Sequence, residues 1–356
     1  MNATIDSVLA ELRERVTGAN KARKPLRLRG AGTKDFYGER FEGELLDLSG
    51  YTGIVDYEPS ELVLTARCGT RLSEIERALA QRGQFLAFEP PAFDGDPTVG
   101  GVIAAGLSGS RRMYVGAARD FVLGVTLLDA QGELLRFGGQ VMKNVAGFDV
   151  SRLLCGSLGI LGILTEISIK VLPRPRAEET VRVEMSAPQA VEMFNRWAGQ
   201  PLPISGTSWS AGSAWVRLSG AEPAVRAARR IIGGEGVEPK VAERWWSALR
   251  HCRHPLFEKE TIWRLSLPST APELALSGEL LIDWGGALRW YAGEVDPAQV
   301  RNIASAAGGT AACWRGPAPE GRFHPRAPTV AAIHRRLKQH FDPHGIFNPG
   351  RLVKDL

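Results

Sequence analysis

At 356 residues the chain is long enough for two domains with sizeable cores. Its 44% hydrophobic and 23% charged content is that of an ordinary globular protein, and a formal charge of +5 interspersed with acidic residues, as in Glu11-Leu12-Arg13-Glu14-Arg15, gives no nucleic-acid face. The four cysteines (Cys68, Cys155, Cys252, Cys313) contain no C-x-x-C, which excludes the common iron–sulfur and zinc-ribbon spacings and fits a reducing compartment without disulfides.

Ile5, Val8, Leu9, Leu12 and Val16 recur at helical spacing, so an amphipathic helix opens the chain, with Gly18 as its expected stop. Met1 to Val16 has acidic residues and no apolar run, so no signal peptide is expected. No segment approaches about 18 uninterrupted apolar residues, so no transmembrane span is expected either. Strands follow at 26–28, 44–48, 53–57 and 62–68. Thr70 is read as the cap of a helix over 71–81 that ends at Gly83. A short helix of small residues is predicted over 99–107. Ala130-Gln131-Gly132 marks a hairpin between strands 121–129 and 133–137, and a strand over 163–171 completes this half.

Pro173-Arg174-Pro175-Arg176 is the clearest boundary, because prolines two apart fit neither a helix nor a central strand. Beyond it lie all nine tryptophans and all six histidines. The patterns there give strand 181–185, helix 187–199, strands 207–209 and 214–218, and helix 222–232, then strands 280–284 and 288–291. Such an order suits an α+β layer. A helix over 330–341 and an ordered turn, Asp342 to Arg351, end the chain. The expected domains are therefore 1–175, 176–325 and a terminal segment, 326–356.

Glycine is concentrated where a ligand would need bare backbone. One loop, Arg29-Gly30-Ala31-Gly32-Thr33-Lys34, leaves the first strand. A second cluster begins at Thr98-Val99-Gly100-Gly101 and runs on through Gly106 and Gly109, and a third is Gly156-Ser157-Leu158-Gly159-Ile160-Leu161-Gly162. No G-x-x-x-x-G-K-[ST] occurs, and no G-x-G-x-x-G opens a helix, so neither a P-loop nor a Rossmann site is indicated. Either loop alone would also be satisfied by a plain turn. Together they suggest a large phosphate-bearing cofactor gripped from two sides.

These loops, with Ile163-Leu164-Thr165-Glu166 and the terminal Phe341-Asp342-Pro343-His344-Gly345-Ile346-Phe347-Asn348-Pro349-Gly350, resemble FAD-linked oxidases of the vanillyl-alcohol-oxidase (PCMH) type. The run from Phe137 through Lys143 and Asn144 to Leu153, and Asp283-Trp284-Gly285-Gly286-Ala287-Leu288-Arg289-Trp290, are similar to the FAD-binding E-type subunits of bacterial glycolate oxidases. The resemblance implies an α+β protein: a two-subdomain PCMH-type FAD-binding domain with an α+β cap. It implies that Arg29, Gly30, Ala31, Gly32, Thr33 and Lys34 hold the pyrophosphate, and that Thr98, Gly100 and Gly101 form the second wall, with Gly106 and Gly109 following. Ile163 would meet the adenine end through its backbone, and Lys143 would lie beside the flavin ring, unless its loop is only a surface turn. Members of this superfamily often tether flavin to a histidine. Residues 1–250 contain none, so non-covalent FAD is expected.

The resemblance further implies partners: a catalytic FAD subunit and an iron–sulfur subunit of a glycolate oxidase complex. The location would be cytoplasmic, or peripheral at the inner membrane through those partners. Related 2-hydroxy-acid dehydrogenases carry a G-H-x-G-D-G-N-x-H cluster in the cap, and this chain has none. No catalytic residue is therefore assigned. His251-Cys252-Arg253-His254 lacks a second ligand pair, so no metal is assigned either. Two alternatives stay open: a self-sufficient oxidase using Arg289 or Arg322 as a carboxylate clamp, and a flavin-bearing assembly subunit whose cap tryptophans form an interface rather than a core.

Overall fold

The computed structural model describes residues 2–40, 42–139 and 149–356. The chain divides into two compact units. The first comprises Met1–Leu107, Ala117–Pro173 and Pro325–Leu356; the second comprises Ser108–Gly116 and Arg174–His324.

Helix α1 (Asn2–Ala22) buries Leu12 and Val16 and continues four residues past Gly18, its expected stop. A side chain at Gly18 would meet nothing within 4 Å, so this glycine serves neither a turn nor a close approach. Strands β1 (Leu26–Arg29) and β2 (Glu44–Asp47) pair in parallel, and Phe347 of the terminal segment joins them by a bridge to Leu26. Next come β3 (Ile54–Glu58), β4 (Val63–Arg67) and α2 (Leu72–Ala80), whose Leu72, Ile75 and Leu79 are buried. Thr70 does not cap α2. Its hydroxyl instead accepts from the Gly53 amide (2.9 Å) and donates to the Gly53 carbonyl (3.1 Å), and Arg71 occupies the cap position.

After β5 (Gln84–Phe85), α3 (Val99–Ala105) is capped by Thr98 and ended by Gly106 in the left-handed conformation. The short α4 (Arg112–Val115) lies in the second unit. The hairpin β6 (Val122–Leu128) and β7 (Leu134–Gly138) turns on Asp129, whose carboxylate accepts the amides of Gln131 and Glu133, while Gly132 supplies φ +83°. Helix α5 (Val150–Leu154), β8 (Ile163–Lys170) and β9 (Leu172–Pro173) follow. The main sheet of this unit is antiparallel, ordered β3-β4-β8-β6-β7, with Ile163, Leu164, Ile167 and Ile169 of the middle strand buried.

The second unit is built on β10 (Ala177–Glu184), α6 (Ala187–Ala198), β11 (Ile204–Ser210), β12 (Ser213–Gly220), α7 (Glu222–Ile232), β13 (Glu235–Gly236) and α8 (Pro239–Arg250). It continues through β14 (Ile262–Ser266), β15 (Glu279–Asp283), β16 (Leu288–Ala292), α9 (Pro297–Ala306) and β17 (Thr310–Arg315), and α10 (Pro328–Phe341) returns the chain to the first unit. Its strands form one eight-stranded antiparallel sheet, ordered β13-β10-β12-β11-β15-β16-β14-β17. On one face α6 and α7 cover Val181, Val216 and Leu218, and α9 covers Trp263 and Leu265. The register partners Leu280, Tyr291 and Trp263 join the two patches. On the other face α8 sets Trp246 against Thr180 (3.0 Å) and stacks Trp245 on Trp215 at 4.1 Å.

Trp246, Trp263, Trp284, Trp290 and Trp314 are all buried, so the tryptophans of this unit chiefly build its core. Ser108–Gly116 is tied into the unit by Ser110 on Asp283 (2.8 Å), Arg111 on Glu178 and Tyr114 on Thr207 (3.0 Å). Among the described residues no helix is long and apolar enough to cross a membrane.

Candidate functional site

The first unit contains an open cleft with three walls. Arg29, Gly30, Ala31, Gly32, Thr33 and Lys34 form one wall, Thr98, Gly100 and Gly101 a second, and Gly159, Gly162 and Ile163 a third. Each wall has its own reason for glycine. A Cβ on Gly30 would lie 2.2 Å from Thr98 Oγ1, and one on Gly100 would lie 2.8 Å from Cys68 Cβ. Gly32, at φ +72°, occupies a conformation that branched residues avoid.

The loop Gly30 to Lys34 has the electrostatics of an anion cradle. Among the described residues, none of its five consecutive amides has a hydrogen-bond acceptor. Unpaired N–H groups on half-buried backbone call for an external acceptor. Lys34 adds a cation, with Nζ 3.3 Å from Thr33 Oγ1 and 5.5 Å from the Phe93 ring centre. Burial pulls its pKa down to about 8. Among the described residues no carboxylate pairs with it. The amides of the second wall are already committed: Gly100 donates to Cys68 O (2.9 Å) and Gly101 to Thr98 Oγ1 (3.3 Å). That wall therefore offers close approach rather than donors.

Two expected cofactor residues do not line the cleft. α3 presents Gly100, Gly101, Ala104 and Ala105 there, and the chain turns away at its end. Gly106 is that end, packed against the Gly156 backbone. Gly109 lies in the second unit, where its carbonyl accepts the Trp284 indole N–H at 2.9 Å. Lys143 and Asn144 lie outside the described residues.

Cys68, Asn348 and Arg351 line the cleft without having been assigned to it from sequence. Burial pushes the Cys68 thiol up to about 12, which keeps it protonated and a poor nucleophile. The three histidines of this unit are engaged elsewhere: His344 bonds Asn20, His334 contacts Arg326, and His340 sits edge-on to Phe341. None lines the cleft.

In the second unit, His254 caps the turn at Leu256 through Nδ1, and among the described residues no cluster of three metal-binding side chains occurs. Arg289 is no open clamp. Its buried guanidinium donates to the carbonyls of Gly286, Pro272 and Ala271. Asp283 is likewise occupied, accepting from Ser110 and from the Trp284 amide (2.7 Å).

Residues 8–138 match the family described as FAD binding domain, and 325–352 match FAD linked oxidases, C-terminal domain. The chain is 48% identical over 346 residues to the glycolate oxidase subunit GlcE of Escherichia coli (strain K12), covering 97% of each chain. The chain belongs to the GlcE family. With its matches to the FAD binding domain and to FAD linked oxidases, this chain is an FAD-dependent oxidoreductase. More distant similarity links this GlcE-family chain to glycolate oxidase subunit GlcD of Bacillus subtilis (strain 168), at 33% identity over 49% of this chain and 39% of that one. D-lactate dehydrogenase of Anaerostipes hadrus is 30% identical over 38% of this chain and 28% of its own length. In fold, alkyldihydroxyacetonephosphate synthase superposes with a TM-score of 0.68 at 15% identity, across 96% of this chain and 75% of that one.

Proposed function

We propose that the chain holds one FAD, without a covalent bond, in the cleft of its first unit and acts as the flavin-bearing relay subunit of a complex oxidising glycolate and related 2-hydroxy acids. The observation that carries this reading is the identity to GlcE along nearly the whole of both chains. The cleft fits the cofactor: among the described residues five amides have no acceptor and a desolvated lysine has no carboxylate, and glycines stand where a Cβ would collide.

When bound, FAD supplies a centre that takes two electrons and can release them singly. The amides of Gly30 to Lys34 would hold the pyrophosphate, and Lys34 would neutralise part of its charge. Thr98, Gly100 and Gly101 would exclude water from the opposite side, and the Ile163 backbone would face the adenine end. The partners are read as a catalytic FAD subunit and an iron–sulfur subunit. The location is read as the cytoplasm or, through those partners, the surface of the inner membrane.

Removing the α-hydrogen of a 2-hydroxy acid needs a carboxylate clamp and a base for the hydroxyl proton. In the second unit the Arg289 guanidinium is engaged by three carbonyls, and Asp283 accepts bonds from Ser110 and Trp284. This favours the relay over the self-sufficient oxidase. The test is glycolate-driven dye reduction by the purified chain alone and with a GlcD-type partner. Turnover that depends on the partner supports the relay. Turnover by the chain alone on the order of ~10 s⁻¹, the usual enzyme median, refutes it.

A further inference from the structure

The first and third glycine walls of the cleft adjoin strands far apart in sequence, β1 and β8, and one side chain from the end of the chain holds both. Asn348 Oδ1 accepts the Leu28 amide at 2.7 Å, two residues before Gly30. Its Nδ2 donates to the Leu158 carbonyl at 2.8 Å, in the turn that leads to Gly159 and Ile163. The two partners fix the orientation of the amide, since Leu28 offers only a donor and Leu158 only an acceptor. Asn348 is buried, lines the cleft and has φ +41°, a conformation asparagine tolerates better than most residues.

Behind it, Arg351 fixes the far end of the first loop. Its guanidinium donates to the carbonyls of Lys34 (2.9 Å), Asp35 (3.0 Å) and Glu39 (2.9 Å), and its own carbonyl accepts the Glu39 amide. With these carbonyls drawn toward the terminal segment, the amides of Gly30 to Lys34 are left unbonded on the loop. The segment itself is pinned by buried Lys338, which donates to Asp342, to Phe347 O and to Ile160 O, the last in the turn of the third wall.

We infer that Asn348 and Arg351 are positioning residues that set the separation of the two glycine walls and the aim of the loop amides, and thereby the affinity for the nucleotide half of FAD. The inference rests on the reading of this cleft as the FAD site. It requires that both residues act on ADP as they act on FAD, because the flavin ring is not what they position.

The test uses the full chain freed of flavin, with Asn348→Ala, Asn348→Ser and Arg351→Lys. Dissociation constants for FAD and for ADP are measured well below each variant's melting transition, where the folded population is unchanged and a loss of stability alone moves neither constant. Asn348→Ala is expected to weaken both nucleotides by at least about tenfold and by a similar factor, since it leaves two buried groups unpaired. Arg351→Lys, which keeps the charge but not the planar fork, is expected to lie between wild type and Asn348→Ala. Should Asn348→Ala not fold, Asn348→Ser and Arg351→Lys decide the matter in the same way. Wild-type affinity in the folded variants, or loss for FAD with none for ADP, overturns the inference. If the unaltered chain takes up no FAD, or Gly32→Val retains it fully, the reading of the cleft itself fails.

Discussion

At the scale of single residues, the site is governed by what would fit beside its backbone. Gly30 faces Thr98 so closely that all three of the nearest atoms to an added Cβ belong to that threonine side chain. Gly30→Ala should therefore abolish FAD retention, and adding Thr98→Ala should restore part of it by removing Oγ1 and Cγ2. Additive losses in the double variant would show that the two positions do not meet. Lys34 carries a pH dependence. Its pKa of about 8 lies below the ordinary 10.5, so the free folded chain disfavours the charge, and its contribution to stability rises with pH between about 8 and 10.5. A bound pyrophosphate favours the charge. FAD affinity should thus fall as pH rises above about 8, with proton uptake on binding, and Lys34→Met should flatten the profile in calorimetric titrations.

At the scale of elements, the sequence is most readable where a local pattern coincides with burial. The β6–β7 hairpin follows from Gly132 and its flanking strands, and Asp129 holds it through two amides. Asp129→Ala should lower stability by about 1–2 kcal/mol in denaturant titrations. FAD affinity should stay unchanged, because neither strand lines the cleft. Helix α8 was not read from the sequence: Ala242, Trp246 and Leu249 mark one helical face, but its two adjacent tryptophans blur the periodicity. Strands β14 and β17 were harder to find. β14 has a neighbour on each side and β17 forms the sheet edge, and neither alternates cleanly in burial. Gly18 and Thr70 misled for a related reason: a stop or cap residue is only an offer, and tertiary packing decides whether it is taken up.

At the scale of the whole molecule, cofactor attachment and partner dependence can be tested together. Among the described residues no histidine lines the cleft, and the one cysteine that does, Cys68, is buried and held as a thiol. Acid precipitation should leave yellow flavin in the supernatant. Flavin that stays with the denatured chain would disprove the non-covalent reading. Glycolate turnover should be marginal without a partner, because general-base assistance is typically worth about 10²–10⁴ in rate and the relatives' histidine–aspartate cluster is missing here.

The sequence by itself determined where bare backbone is concentrated, which is the ground for expecting a phosphate-bearing cofactor there, because close backbone approach leaves a local mark: glycine wherever a Cβ would collide. It likewise marked a boundary within Pro173-Arg174-Pro175-Arg176, since proline constrains its own backbone. Only the tertiary structure decided which glycines face the cleft. Gly106 belongs to the same cluster as Gly100, yet it caps the helix in the left-handed conformation and packs against the Gly156 backbone, and Gly109 belongs to the second unit. The tertiary structure also decided that Asn348 and Arg351 belong to the site, because the bonds they make span about 320 residues to Leu28 and about 317 to Lys34. A side chain that acts through carbonyls and amides so distant in sequence leaves no spacing or periodicity to read; only the folded path of the chain brings it there.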